Sequence, residues 1–368
     1  MTLARRLTLG TAFALMMSGI VGASVGAALP FWRADFGIEG EISWYFNLVF
    51  VGGLLGTLVG SRMRVRQPWL PLSVGLQVVG FLLIALAPQF TVVLAGGLLA
   101  GFAVMVVNVN ANAVALELNA GNLTVLSRVN AAFGLGAVVA PLLVVGLPWR
   151  TAYLLFALLA LVTVALLWGS PRAQTQEAPP ARGMGFRLLT FLLLAVLAYV
   201  SVEIIVSSFT GVYLQTLGYS VGTLGVLLSL YWVGLTVGRL VLGPFIAPDP
   251  LRRLLILHVS AVAVGLCYFS SATVWLFPLL GFLVAPTFPT LYTFTRNQIG
   301  PFAIPYIFYM GTTGSNLIPA GFARIPDPLI GWGVVGALVF MAAGLGLLIW
   351  RAEKHAGKEE REESKEKA

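Results

Sequence analysis

Glu203 is a carboxylate placed where carboxylates are costly. It lies inside an apolar run, about 16 residues past Arg187 and about 15 before the turn at Gly218, Tyr219 and Ser220. At roughly 1.5 Å per residue, that is close to the middle of a bilayer. A charged side chain at a helix centre costs roughly 2.5 to 3.5 kcal/mol, so a proton or a partner that neutralises it is favoured. Two uses fit such a group. It can carry a proton across the membrane, or it can stay protonated and hydrogen-bond a nearby carbonyl or Ser207, one turn on.

The other polar candidates are uncharged. Asn108 and Asn112 are one helical turn apart and share a face, whereas Asn110 points away. Asn47, Asn130 and Asn316 lie in other apolar segments. Amides hydrogen-bond hydroxylated solutes, and in membranes they also join helices. Tyr231 and Trp232 lie mid-segment and can stack on a sugar ring or an apolar ligand. With Ser207, Phe209, Tyr213 and Tyr292 they complete the candidate solute-binding set.

No enzyme constellation accompanies them. Two histidines and one cysteine are present, with no HExxH, no paired carboxylates and no phosphate-binding glycine loop. His258 has no metal partner at useful spacing and reads as a core histidine. Cys267 permits no intrachain disulfide. Neither a metal nor a cofactor is expected. A channel would need a selectivity ring or filter, which unlike spans do not provide.

The elements that position these residues are apolar spans. The chain has 58% hydrophobic and 10% charged residues and a mean hydropathy of +0.93, which excludes a water-soluble domain. Twelve spans are predicted, at 7–30, 42–62, 69–87, 90–117, 122–146, 150–169, 186–215, 220–246, 250–271, 272–295, 300–325 and 328–351. The net charge of +8 is distributed by topology and forms no nucleic-acid-binding stripe. With the N-terminus inside, the outer loops hold only Arg33, Arg150 and Arg324, against fourteen basic residues on the inner side with the tail set aside. The positive-inside rule then places both termini in the cytoplasm of a bacterial inner-membrane protein. Arg5 and Arg6 before an apolar run also suit a secretory leader, but the run continues to Pro30 and the repeat requires it as a span.

The repeat is found by self-comparison. Val51-Gly52-x-x-x-Gly56-x-Leu58-Val59 recurs as Val233-Gly234-x-x-x-Gly238-x-Leu240-Val241; Gly101-Phe102-x-Val104 recurs as Gly281-Phe282-x-Val284; Gly136 and Pro141 recur as Gly314 and Pro319. Three matches in order, at nearly one spacing, indicate parallel six-span halves, an organisation that places a solute site between the halves near the midplane. The first half spans 1–169, a Pro- and Gln-rich linker 170–185, the second half 186–351 and a charged tail 352–368. The tail alternates Glu and Lys and reads as a solvated helix or a disordered segment.

Gly52, Gly56 and Gly60 permit close helix contact. Pro141, Pro286, Pro289 and Pro319 mark bends suited to a gate. Arg239, near the inner end of its span, either snorkels or holds a helix end.

Together, Tyr199-x-Ser201-x-Glu203 with Phe209 and Tyr213, Tyr231-Trp232-x-Gly234-x-x-x-Gly238-Arg239, Ala285-Pro286-x-Phe288-Pro289-Thr290, and Phe133-Gly134-x-Gly136 with Pro141 resemble the fucose-permease-like branch of the major facilitator superfamily. The resemblance implies an all-α polytopic fold of twelve transmembrane helices in two six-helix pseudo-repeats. It also implies alternating access and, often, proton-coupled movement of sugars or related small polar solutes. Its loop motif GxLxDRxGRR is matched by Gly56, Leu58, Arg62 and Arg64, but Gly60 replaces the acidic residue and Met63 a glycine, which leaves the inner-gate ion pair without its acidic member. The carboxylates that sugar symporters carry in spans 1 and 4 are absent, and Gly22 occupies the repeat position of Glu203.

The resulting expectation is a secondary transporter of a small neutral solute, proton-coupled through Glu203 and acting as a monomer in the lipid bilayer. The competing readings are an exporter of amphipathic or drug-like compounds and an uncoupled uniporter.

Overall fold

The computed structural model describes residues 2–118, 123–172, 186–300 and 303–366. Among them every regular element is helical, as a lipid solvent requires, because a helix satisfies its own backbone hydrogen bonds. The first half comprises α1 (Leu3–Phe36), α2 (Ile42–Arg62), α3 (Trp69–Ala85), α4 (Phe90–Leu118), α5 (Leu123–Gly146) and α6 (Trp149–Leu167). The second comprises α7 (Phe186–Thr216), α8 (Val221–Val241), the short α9 (Gly243–Ile246), α10 (Pro250–Gly265), α11 (Pro278–Val284), α12 (Thr287–Gln298), α13 (Ile304–Phe322) and α14 (Ile330–Glu366).

Nine segments among the described residues are long and apolar enough to cross a membrane. The shorter apolar helices Trp69–Ala85 and Ala131–Gly146, with α13, bring the spans to the expected twelve. Exposed Leu240, Trp332 and Phe340 are stable only where lipid replaces water.

Local chemistry sets the boundaries. Thr2 caps α1 by accepting from the Arg5 N–H, and Gly37 ends that helix at φ 63°, a conformation a side chain would oppose. Ser220 caps α8, and Asp249 caps α10 ahead of Pro250 at the first helical position.

The repeat becomes visible as packing. A Cβ on Gly52 or Gly56 of α2 would run into the carbonyl oxygens of Leu98 and Phe102 on α4; one on Gly234 or Gly238 of α8 would meet those of Pro278 and Phe282 on α11. Gly101 faces the Val49 carbonyl as Gly281 faces that of Tyr231, and Gly136 meets Met16 as Gly314 meets Leu197. The contacted residues are themselves repeat partners, so both halves use one set of close helix crossings.

Of the four prolines, only Pro286 lies at a break, between α11 and α12; α5 runs on through Pro141 and α13 through Pro319, while Pro289 lies inside α12. The tail is helical, since α14 continues to Glu366. Residues 173–185 of the linker lie outside the described residues.

Candidate functional site

The halves meet along α1 with α7, α2 with α13 and α5 with α8. At the end where α1 finishes, both Arg33 η-nitrogens donate to the two Asp327 carboxylate oxygens at 2.6 and 3.2 Å, bridging the halves. Phe209 of α7 packs, with tilted rings, between Phe46 of α2 and Phe322 of α13, with centroids 5.6 and 5.1 Å away. Gly26 of α1 lies against the Ser207 carbonyl. These contacts join the halves at the Arg33 end.

Glu203 lies midway along α7 and is buried. It is not alone. Tyr199, one turn earlier, donates its hydroxyl to the carboxylate, and Arg239 Nη2 of α8 stands 3.7 Å from it and 3.3 Å from the Tyr199 oxygen. The Tyr231 hydroxyl reaches the Glu203 main-chain carbonyl at 3.4 Å. Ser207, expected as a partner, donates instead to the Ile204 carbonyl within its own helix.

Arg239 has a third attachment. Its Nε donates to the Ala285 carbonyl at 3.4 Å, at the α11–α12 break. The N–H that would take this carbonyl in a continuous helix is that of residue 289, and Pro289 has none. Arg239 therefore holds a carbonyl at the helix break. Its guanidinium carbon also lies 6.0 Å from the Phe133 ring of α5, placing the charged cluster beside the first half.

The remaining candidates are not gathered around one open space. Trp232 is buried between Tyr231 and Phe133, 6.2 Å from the latter, with its indole N–H unpartnered. Tyr213 stacks on Tyr268 and donates to its carbonyl at 2.5 Å. Asn316 donates to Thr312 and Ser315 of its own helix. Asn47, Asn108 and Tyr292 are partly buried, and Tyr292 neighbours Phe288. The side chains of Asn112 and Asn130 lie outside the described residues. A Cβ on Gly22, the repeat partner of Glu203, would have no neighbour within 4 Å, so the first half leaves room there.

A polar cluster missed in the sequence lies where the inner-gate motif was incomplete. Arg62 and Arg64 are exposed and make no ion pair among the described residues. Buried Arg66 instead donates to both Glu117 oxygens at 2.5 and 3.0 Å and to Asn110 Oδ1 at 3.3 Å, and Asn110 donates to the Gly60 carbonyl at 3.1 Å. The loop supplies the cation and α4 the acid. Asn110 is thereby a helix-joining residue.

His258 is a core residue, its ring bridging the Leu254 carbonyl and the Thr287 hydroxyl. No group of three or more potential metal ligands occurs among the described residues. A cavity of about 580 Å³ opens beside α8, α9, α10, α12 and α14, reaching Arg239 at its inner side. Its described lining residues run from Arg239 to Ala352, with none from 1–169, so it is not the expected space between the halves.

The family model described as Major Facilitator Superfamily matches residues 11–323. No curated protein matches the sequence. Three similar solved structures are a bacterial homolog of the human lysosomal transporter Spinster in an inward-facing, unoccupied conformation (14% identity, TM-score 0.68, 95% of each chain), the nucleoside transporter NupG (13%, 0.71, 95% of this chain and 99% of that one), and the human organic anion transporter MFSD10 (16%, 0.67, 95% and 99%). At these identities the likeness is one of fold.

Proposed function

The chain belongs to the Major Facilitator Superfamily, transporters of solutes across membranes, and from that premise we propose a proton-coupled transporter of a small polar solute such as a sugar. The observation that carries this reading is the buried Glu203 carboxylate at mid-span, held by Tyr199 and Arg239 beside the α11–α12 break. When Glu203 takes a proton, its attraction for Arg239 falls. The hold of Arg239 on Ala285, and its approach to Phe133 of the opposite half, are then free to change. Protonation is thus tied to the relative position of α7, α8 and α12, and to the contact of α8 with α5.

In the membrane orientation we assign, with both termini cytoplasmic in a bacterial inner membrane, the Arg33 end faces outward. In this reading the parts 1–169 and 186–351 alternate access to the two sides. A proton entering with the solute contributes about 2.3 kcal/mol per 100 mV of membrane potential. In this reading the chain acts as a monomer whose partners are its small-molecule solute, protons and the lipid bilayer.

A thermal-shift screen of the purified protein against sugars, polyols, nucleosides and common efflux substrates tests the solute class. A ligand at about 100 times its Kd stabilises the protein by about 2.7 kcal/mol. A hydroxylated solute that raises Tm and is then accumulated by proteoliposomes supports the reading; hits confined to amphipathic compounds favour an exporter.

A further inference from the structure

We propose that the cavity of about 580 Å³ inside the second half is a binding site for an amphipathic monoanion, its oxyanion on Arg239 and its apolar body against Ile246, Leu251, Phe294 and Ile349. The site is separate from the path between the halves, and it does not rest on Glu203 carrying a proton.

Three observations carry it. The first is size and lining, since small-molecule sites are concave, mostly apolar and of about 300 to 1,000 Å³, with a few polar groups fixing orientation. The second is charge. The lining contains Arg239, Arg252 and Asp249; Asp249 accepts from the Arg252 backbone N–H as the α10 cap and lies 3.8 Å from the Arg252 guanidinium, so within the lining Arg239 is the cation without a carboxylate, its counter-charge being Glu203 at 3.7 Å.

The third is the unused donor capacity of Arg239. Nε serves Ala285, and Nη2 serves Tyr199 and Glu203, all at 3.3 Å or more, while Nη1 makes no hydrogen bond among the described residues. The side chain is 31% exposed although it lies at the level of a buried carboxylate. A guanidinium offers a planar fork matched to carboxylate or phosphate oxygens, and Arg239 lines the cavity with one prong of its fork unused.

Because Glu203 holds the same guanidinium at only 3.7 Å, the bound oxyanion and the Glu203 carboxylate compete for it. By reciprocity, whatever neutralises Glu203 tightens anion binding, and anion binding loosens Arg239 from Glu203. Carboxylates in solution and phosphate headgroups of anionic lipids share this chemistry.

The test is calorimetric titration of the full-length protein, delipidated in a nonionic detergent, with octanoate and its neutral isostere octanamide. The expected result is saturable octanoate binding with octanamide about tenfold weaker or undetectable. Arg239→Gln should lose it, Arg239→Lys retain part of it, and Glu203→Gln bind octanoate more tightly than the wild type. Since Arg239→Gln leaves Glu203 uncompensated and can unfold the protein, the double Glu203→Gln/Arg239→Gln variant, which buries no charge, serves as the second null and should also fail to bind. Equal binding of octanamide, or octanoate binding undiminished in the double variant, overturns the proposal. Repetition in nanodiscs of phosphatidylglycerol or phosphatidylcholine separates the two sources: octanoate excluded only by phosphatidylglycerol identifies a lipid headgroup as the occupant, and equal binding in both identifies a soluble anion.

Discussion

Arg239 Nη2 stands 3.7 Å from the Glu203 carboxylate, joining α8 to α7 inside a segment of membrane where neither charge would be stable alone. Removing one member leaves the other unpaired. For a fully buried pair that costs about 3 to 5 kcal/mol, and the partial exposure of Arg239 puts the expected loss near the lower limit. Glu203→Gln/Arg239→Gln should therefore be more stable than Arg239→Gln alone. Thermal unfolding of the three proteins in one detergent checks this.

Pro289 is expected to keep α12 from taking back the Ala285 carbonyl. Pro289→Ala restores an N–H at the i+4 position, which then competes with Arg239 Nε. The variant should have a raised Tm and a lowered transport rate, since the break it repairs is also the attachment point of Arg239. A raised Tm with an unchanged rate would show that this attachment plays no part in the cycle.

The Arg33–Asp327 pair is an ionic contact between the halves at the outer end we assign, with side chains 22% and 27% exposed. Such a pair is worth about 0.5 to 1 kcal/mol, so Arg33→Ala should shift the open population by roughly two- to fivefold. In a Cys267→Ser background, Ser208→Cys places a reporter thiol at a buried α7 position near the crossing with α1. A water-soluble maleimide should label it faster by a similar factor in Arg33→Ala, and the charge-swapped Arg33→Asp/Asp327→Arg protein should return toward the original rate.

Arg66 and its neighbours give a contrast within one loop. Arg62→Gln and Arg64→Gln, at exposed positions, should change stability by no more than about 0.5 kcal/mol. Glu117→Gln leaves buried Arg66 with only Asn110 among the partners described above and should cost several times as much. Denaturation midpoints of the three variants decide it.

What could be read from the sequence follows from the range of each signal. Span number and the glycine repeat were legible because lipid imposes a residue-by-residue rule and because Gly52, Gly101 and Gly136 meet backbone that allows no side chain. Glu203 stood out by contrast with its own segment. Its partner did not, since Arg239 is 36 residues away and the link depends on how α8 rotates. Arg66 was hidden for the same reason: three arginines alternate after Gly60, and only folding of the loop shows that the third turns inward to Glu117, 51 residues on. The missing N–H at Pro289 was visible; which donor replaces it was not.

The central claim is that Glu203 couples solute movement to protons, and Glu203→Gln in proteoliposomes tests it most directly once a transported solute is in hand. Accumulation driven by an inward pH gradient and equilibrium exchange at equal pH are measured side by side. The account predicts loss of accumulation with exchange largely retained. Accumulation surviving in the folded variant would contradict it and leave Glu203 as a structural partner of Arg239.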